Sequence, residues 1–247
     1  MSEWVPGKVI ENKHWTQNLF SLRIEAPIEP FKAGQFTSLG LEIDGELTAR
    51  PYSLLNAPGE QPLEFFFYTA TDGMLSNAMV SLKEGDDILV KREANGFFTL
   101  DEVPSSKDLW LLGTGTGIAP YFSMLQTDEP WERFERVILV HAVRQSSDLR
   151  YQELIEELSL NYGERFVFQA FVSREDVEGT LPGRIPEALG NGALEQATGI
   201  SISATDSQFM LCGNPAMVAD ATEALKALGL SKNRRRTPGQ ITVEKYW

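Results

Sequence analysis

Three stretches of this sequence carry residue types that could handle a phosphorylated ligand. In LLGTGTGIAP (111–120) an apolar run enters three alternating glycines, Gly113, Gly115 and Gly117. Glycines let a backbone turn tightly and approach a ligand, and a helix starting after the loop offers free N–H groups to phosphate. The pattern is GxGxGxxP rather than GxGxxG, and a glycine loop alone also serves as a plain strand-to-helix turn; the strand-loop-helix context points to phosphate. The second stretch is a set of arginines just past strand-like runs. Arg144 follows VILVHAV, Ser173 and Arg174 follow FVFQAFV, and Arg184 comes ten residues later. At the carboxyl ends of a doubly wound sheet a ribose 2′-hydroxyl usually meets Asp or Glu. A 2′-phosphate needs cations, and the planar fork of Arg suits it. These positions favour NADP(H) over NAD(H), against the alternative of arginines snorkelling at a sheet edge. The third is ARPYSLLN (49–56), where strand alternation puts Arg50 and Tyr52 on one face and Ser53 on the other unless Pro51 perturbs it. Taken alone it is an ordinary barrel strand. Beyond it, TDGMLSNAM (71–79) runs from an Asp-Gly turn into a short helix, another possible anion site at a helix start.

The sequence closes on VEKYW. Chain ends fray, and a frayed Tyr246-Trp247 would leave large rings in water. Either the rings are buried in a last strand or they have a flat partner.

Two kinds of scaffold must position these residues. Residues 1–100 give short strand-like runs, LFSLRIEA (19–26), QFTSLGLEI (35–43), LEFFFYTA (63–70) and DILVKREA (87–94), broken by KAGQ, IDGE, APGE and KEGD. Close-spaced short strands predict an all-β barrel or sandwich, with one helix-like insert at 75–82. From about residue 105 apolar strands alternate with amphipathic helices. DLWLLG (108–113), RVILVHAV (136–143), RFVFQAFV (165–172) and QFMLCGNP (208–215) are the strands; RYQELIEELSL (150–160) and MVADATEALKAL (217–228) are the clearest helices. That rhythm predicts a parallel sheet built from βαβ units. The boundary falls near DEVPS (101–105), giving domains 1–101 and 102–247.

The formal charge is −13 over 247 residues, unevenly spread. Residues 232–247 hold Lys232, Arg234, Arg235, Arg236 and Lys245 against Glu244, +5 − 1 = +4, which leaves −17 on the other 231 residues. An acidic body argues against nucleic acid as the main partner. The basic run is either a local docking patch for an acidic partner or a solvated surface run. One cysteine, Cys212, excludes a disulfide framework and a cysteine-ligated iron–sulfur cluster within the chain, and suits a reducing cytoplasm. MSEWVPGKVIENKH lacks the apolar region of a signal peptide, and VILVHAV is too short to cross a bilayer, so no membrane partner is expected.

These residues carry a resemblance. Arg50-Pro51-Tyr52-Ser53 looks like the RxYS flavin motif of the ferredoxin–NADP⁺ reductase superfamily, and GTGTGIAP resembles its NADP loop. Leu211-Cys212-Gly213-Asn214-Pro215 resembles its nicotinamide motif, and VEKYW resembles the tail of the bacterial ferredoxin/flavodoxin–NADP⁺ reductases that end in Tyr-Trp. The resemblance spans the chain and implies a six-stranded antiparallel FAD barrel followed by a Rossmann-like α/β NADP domain. It implies that Arg50 holds the FAD pyrophosphate, that Pro51 and Tyr52 lie along the flavin and ribityl region, and that Ser53 bonds flavin N5. Phe66, Phe67, Tyr68 and Thr69 would line the adenine side or flavin edge; Met74, Leu75 and Ser76 would present backbone to the pyrophosphate. Thr116 would sit between glycine loop and flavin. Gly113, Gly115 and Gly117 would form the NADP loop, Leu211, Cys212, Gly213 and Asn214 the nicotinamide motif with Cys212 approaching the ring; Val143 would also bind NADP, and Arg144, Ser173, Arg174 and Arg184 its 2′-phosphate adenosine end. Ser53, Cys212, Glu244 and Trp247 would serve catalysis, with no metal.

The implied activity is hydride transfer from NADPH to flavin N5 and single-electron transfer to ferredoxin or flavodoxin, met transiently and electrostatically by a monomer, or the reverse. Tyr246 and Trp247 would then cover the flavin as a lid that nicotinamide displaces, a stack worth about 0.5–1.5 kcal/mol beyond burial. Two rivals stand beside this: a free flavin reductase or oxygenase reductase component, and a nucleotide-binding sensor that turns nothing over.

Overall fold

Alternation in the first hundred residues becomes six antiparallel strands in the computed structural model, which describes residues 3–245. They are β1 (Trp4–His14), β2 (Leu19–Glu25), β3 (Phe36–Ile43), β4 (Glu46–Ser53), β5 (Leu63–Tyr68) and β6 (Asp87–Lys91). Their order is β4-β3-β6-β1-β2-β5, a half-barrel in keeping with the expected FAD-type β domain. Inward residues at period two, among them Val5 and Val9, Leu22 and Ile24, Phe65 and Phe67, and Ile88 and Val90, make one apolar core. The β3–β4 hairpin closes on Asp44-Gly45, both at positive φ (53° and 81°), the turn geometry that matches strand twist. The predicted insert is α1 (Met74–Val80), whose Leu75 and Met79 join the barrel core. Asn12 Nδ2 lies 2.9–3.1 Å from the Met79, Val80 and Leu82 carbonyls and so satisfies acceptors that the end of α1 leaves open. β1 has no counterpart in the sequence reading, because Pro6 and Gly7 break up the apolar alternation of Val5 and Val9.

The second half builds five parallel strands, β7 (Asp108–Thr114), β8 (Arg136–Val143), β9 (Phe166–Val172), β10 (Ser207–Gly213) and β11 (Ile241–Lys245), in the order β11-β10-β7-β8-β9. β7 and β10 are buried almost throughout, as strands covered on both faces must be. The helices of this half are α2 (Ala119–Leu125), α3 (Glu129–Arg133), α4 (Gln152–Tyr162), α5 (Ile185–Asn191), α6 (Ala193–Thr198) and α7 (Pro215–Ala227). Trp110, Leu112, Val140, Phe171 and Phe209 of the sheet pack with Leu189, Leu194, Val218 and Leu225. At the amino ends of the strands, buried Asp108 takes a two-pronged bond from Arg136 (2.7 and 2.8 Å).

The chain divides into two compact units. The first runs to Thr99 and takes in Ala119–Thr127; the second is Leu100–Ile118 with everything from Asp128 onward. The units differ from a division at 101/102 in that α2 groups with the barrel. Every residue of α2 is buried, Ser123 Oγ donates to the Asn56 carbonyl (2.8 Å), and Tyr121 packs on Phe98 with ring centres 5.8 Å apart.

Candidate functional site

In the parallel sheet the chain order reverses between β7 and β10: β8 and β9 lie on one side of β7, β10 and β11 on the other. Ligands of doubly wound sheets sit outside the carboxyl ends at such a switch point, since the connections leave in opposite directions there. The strand ends here carry the predicted motifs. Register pairs Glu244 with Cys212, Cys212 with Gly113, and Gly113 with His141, so four residues form a row across β11, β10, β7 and β8. In-register neighbours of a parallel sheet share a face. Cys212 is fully buried on its strand. Glu244 Oε2 is buried with no hydrogen-bond partner among the described residues, and burial pushes its carboxyl up to about 7. A carboxyl with that environment can hold or release a proton near neutrality.

Beyond the row the two strand ends are laced together. The Asn214 N–H donates to Thr114 Oγ1 (2.9 Å), and Asn214 in turn caps α7, its Oδ1 accepting from the Ala216 and Met217 N–H groups ahead of Pro215. Gly213 takes φ +125°, and a side chain there would meet Thr114. A Cβ on Gly117 would lie 2.7 Å from the Gly213 Cα. What Gly117 approaches among the described residues is thus β10. Gly115, at φ +54°, begins a tight 3-10 turn, Gly115–Ile118, before α2. The Gly115 carbonyl is 2.9 Å from His141 Nε2. Burial lowers the His141 pKa to about 4, partly offset by that carbonyl, so the ring is neutral at pH 7, with Nε2–H donating. His141 and Thr114 have no place in the sequence reading. The signal for His141 is a single polar residue inside the apolar run VILVHAV.

Past β8 and β9 the backbone ladder continues: Ser173 N donates to the Val143 carbonyl (3.1 Å) and Arg174 N to the Arg144 carbonyl (3.0 Å). Val143 is buried, whereas Arg144, Ser173 and Arg174 are exposed. Arg184, also exposed, precedes α5. None of the three arginines forms an ion pair among the described residues.

In the barrel unit, β4 presents Arg50 exposed, Tyr52 half-buried and Ser53 buried, opposite Leu39, Thr37 and Phe36 of β3. Burial deepens along this stretch instead of alternating, from exposed Arg50 and Pro51 through half-buried Tyr52 to buried Ser53. Arg50 Nη1 reaches only its neighbour's carbonyl, at Ala49 (2.7 Å). Burial pushes the Tyr52 hydroxyl up to about 12, opposed by the Arg50 charge, and its ring meets Phe67 edge-on at 5.8 Å. Phe67 belongs to the barrel core and stacks on Phe20, so it supports Tyr52 from within; Phe66 is also buried, while Tyr68 and Thr69 are half-buried. At α1, Met74 is exposed and Leu75 lies in the core. Ser76 Oγ accepts from Ala70 N (3.2 Å) and donates to Gly73 O (3.3 Å), closing the loop before the helix. Thr116 is half-buried in the turn after Gly115, and Leu211 is buried in β10.

The basic run is a hairpin turn. Arg234 and Thr237 exchange backbone hydrogen bonds (3.0 and 2.9 Å), with Arg235 and Arg236 exposed at the tip. Asn233 Nδ2 anchors it to the Glu102 carbonyl (2.6 Å). Tyr246 and Trp247, assigned to the flavin face by resemblance, lie outside the described residues. Among the described residues no group of three His, Cys, Asp or Glu side chains could hold a metal ion, and no helix is long and apolar enough to cross a membrane.

Residues 111–223 match the oxidoreductase NAD-binding domain family. Over its full length the chain is 48% identical to all of the flavodoxin/ferredoxin–NADP reductase of Escherichia coli. It is 34% identical to the ferredoxin–NADP reductase of Pseudomonas aeruginosa, covering 99% of this chain and 98% of that one. Among solved structures, a ferredoxin–NADP⁺ reductase from Neisseria gonorrhoeae with bound FAD and NADP superposes with a TM-score of 0.95 at 34% identity, covering both chains completely.

Proposed function

The chain belongs to the flavodoxin/ferredoxin–NADP reductase family, and from that premise we propose how its own residues carry electrons between NADP(H) and a ferredoxin or flavodoxin through FAD. The observation that carries the reading is the row Glu244–Cys212–Gly113 at the sheet's switch point, with Arg144 and Arg174, in no ion pair among the described residues, at the same carboxyl edge.

FAD supplies the chemistry, taking a hydride at N5 from NADPH and handing on electrons one at a time. The barrel residues suit such a group. Arg50 is an exposed cation with no carboxylate partner among the described residues, ready for a pyrophosphate. Tyr52 stays a neutral phenol at any physiological pH and offers a ring edge-braced by Phe67. Ser53, buried at the end of the same strand, would be the hydrogen-bonding group for N5. Pro51 on β4 and Phe66, Tyr68 and Thr69 on and after β5 would line the group, and the backbone of Met74, Leu75 and Ser76 would hold its pyrophosphate.

In the parallel-sheet unit, Gly113, Gly115, Gly117, Leu211, Gly213 and Asn214 make the wall of the NADP crevice, and Thr116 would sit between the glycine loop and the flavin. Cys212 presents a small neutral surface to the ring. Glu244 beside it holds a proton near neutral pH. Val143, Arg144, Ser173, Arg174 and Arg184 take the adenosine 2′-phosphate, which argues for NADPH over NADH. Tyr246 and Trp247, which the resemblance assigns to the flavin face, lie outside the described residues. The docking of carriers is transient and electrostatic, through the arginine hairpin at 234–236, since a body of −17 would otherwise repel an acidic carrier.

Adding NADPH without oxygen to the FAD-loaded protein tests this. The flavin absorbance should bleach with NADPH at far lower concentration than with NADH, and added salt should slow the onward reduction of ferredoxin or flavodoxin. Bleaching by neither nucleotide would overturn the reading; equal bleaching by both would remove the arginines' part in it.

A further inference from the structure

The loops after β8 and β9 place an acid among cations. One residue past the extended ladder, Glu175 Oε2 accepts from both the Ser146 N–H (2.9 Å) and the Ser146 hydroxyl (2.5 Å). Glu175 follows Arg174 directly, and Ser146 stands two residues after Arg144. Both arginines thus stand within two residues of this pair along the chain, and forked Arg–carboxylate bonds are among the stronger surface contacts. Here neither arginine forms an ion pair among the described residues, and the carboxylate oxygen is turned onto Ser146 instead. Those two bonds hold the Glu175 carboxyl below the usual carboxylate range, so it stays ionised across the physiological span.

We propose that Glu175 and Ser146 form a positioning pair for the 2′-phosphate subsite. The pair ties the two arginine-bearing loops at a set spacing and keeps the carboxylate off the Arg144 and Arg174 guanidiniums, which leaves both cations for the incoming dianion. Ser146 thereby acts as a specificity determinant: without its hydroxyl the Glu175 carboxylate becomes an internal competitor for the phosphate's own partners. The inference rests on the reading that Arg144 and Arg174 bind the 2′-phosphate.

The test uses the FAD-loaded enzyme and two probes, 2′,5′-ADP and 5′-AMP, with binding followed by calorimetry. Ser146→Ala should weaken 2′,5′-ADP about threefold or more, the scale of one lost hydrogen bond, and leave 5′-AMP unchanged. The KM for NADPH should rise in proportion with kcat unmoved. Ser146→Thr, which keeps the hydroxyl, should behave as the parent. Adding Glu175→Gln to Ser146→Ala should recover part of the loss, because no carboxylate then competes. The proposal is overturned if Ser146→Ala leaves 2′,5′-ADP untouched, if it weakens both probes alike, or if the double variant is no better than the single. Arg174→Ala separates the underlying reading: if it leaves the preference for 2′,5′-ADP over 5′-AMP intact, the phosphate lies elsewhere and both ideas fall, whatever Ser146 does.

Discussion

Gly117 lies against Gly213 across the carboxyl ends of β7 and β10: a Cβ on Gly117 would come 2.7 Å from the Gly213 Cα, 2.9 Å from its nitrogen and 2.9 Å from the Cys212 carbonyl oxygen. Nothing flexible stands in that position. The neighbour is backbone, paired on both sides with β7 and β11 and pinned by the Asn214 N–H on Thr114 Oγ1. Gly117→Ala must therefore push the turn away from the crevice floor. The expected cost is about 1–3 kcal/mol, as for overpacking elsewhere, read by urea unfolding. NADP⁺ titration of the same variant should show weakened binding, because the turn is part of the wall of the NADP crevice. An unchanged urea midpoint would mean that the turn yields freely and that Gly117 is not needed for the close approach.

Glu244 gives a pH signature. Its folded carboxyl titrates at about 7, above the usual carboxylate value, because burial disfavours the charged form. Between those two values the folded chain keeps a proton that the unfolded chain has released. The unfolded state thus binds fewer protons, and stability falls as pH rises through the window. Glu244→Gln carries no such proton, so its stability advantage over the parent should grow between about pH 5 and 8, by something on the order of 1–3 kcal/mol. Urea unfolding of both proteins at several pH values measures it. Parallel curves would place the neutral-range proton on another group.

His141 should show the opposite slope. Its folded pKa of about 4 lies below the ordinary value for imidazole. Between about 4 and 6.5 the unfolded chain binds the extra proton, so stability rises with pH there and is lost as pH falls through the window. In the overlap with the Glu244 window the two slopes partly cancel in the parent protein, and each single variant should uncover the other. His141→Leu removes the donor to the Gly115 carbonyl and leaves a buried acceptor unmet, at about 1–3 kcal/mol. His141→Gln, able to donate, should recover some of that and still lack the acid slope. Nitrogen NMR of the ring should report a neutral imidazole protonated at Nε2 at pH 7; a protonated Nδ1 would show that the Gly115 contact is not the donor bond assigned to it.

Much of the site is legible from residue types and spacing because each motif sits where one kind of element ends. The run VILVHAV is an apolar strand, the arginine after it comes at a strand end, and strand ends of parallel sheets face ligands. β8 spans the predicted residues, 136–143, and Arg144 emerges from it exposed. The strand that carries Arg50, Tyr52 and Ser53 is legible too, but their burial deepens along it, from exposed Arg50 and Pro51 to buried Ser53, and does not alternate. β1 is obscured by Pro6 and Gly7, and α2 groups with the barrel unit, a membership set by long-range contacts such as Ser123 on Asn56 rather than by any local pattern.

What the sequence alone determined is therefore the set of elements and the residues at their ends, since periodicity, glycine turns and capping residues are local properties read over a few neighbours. What only the tertiary structure decided is which ends meet. The strand order that brings Cys212 between Gly113 and Glu244 joins segments about a hundred and thirty residues apart along the chain, counted from 113 to 244. The same holds for the imidazole of His141 on Gly115, the hydroxyl of Thr114 on Asn214, and the carboxylate of Glu175 on Ser146. Those contacts depend on register and burial, which are set by packing the whole sheet, and burial in turn moves the protons of Glu244 and His141 away from their ordinary values.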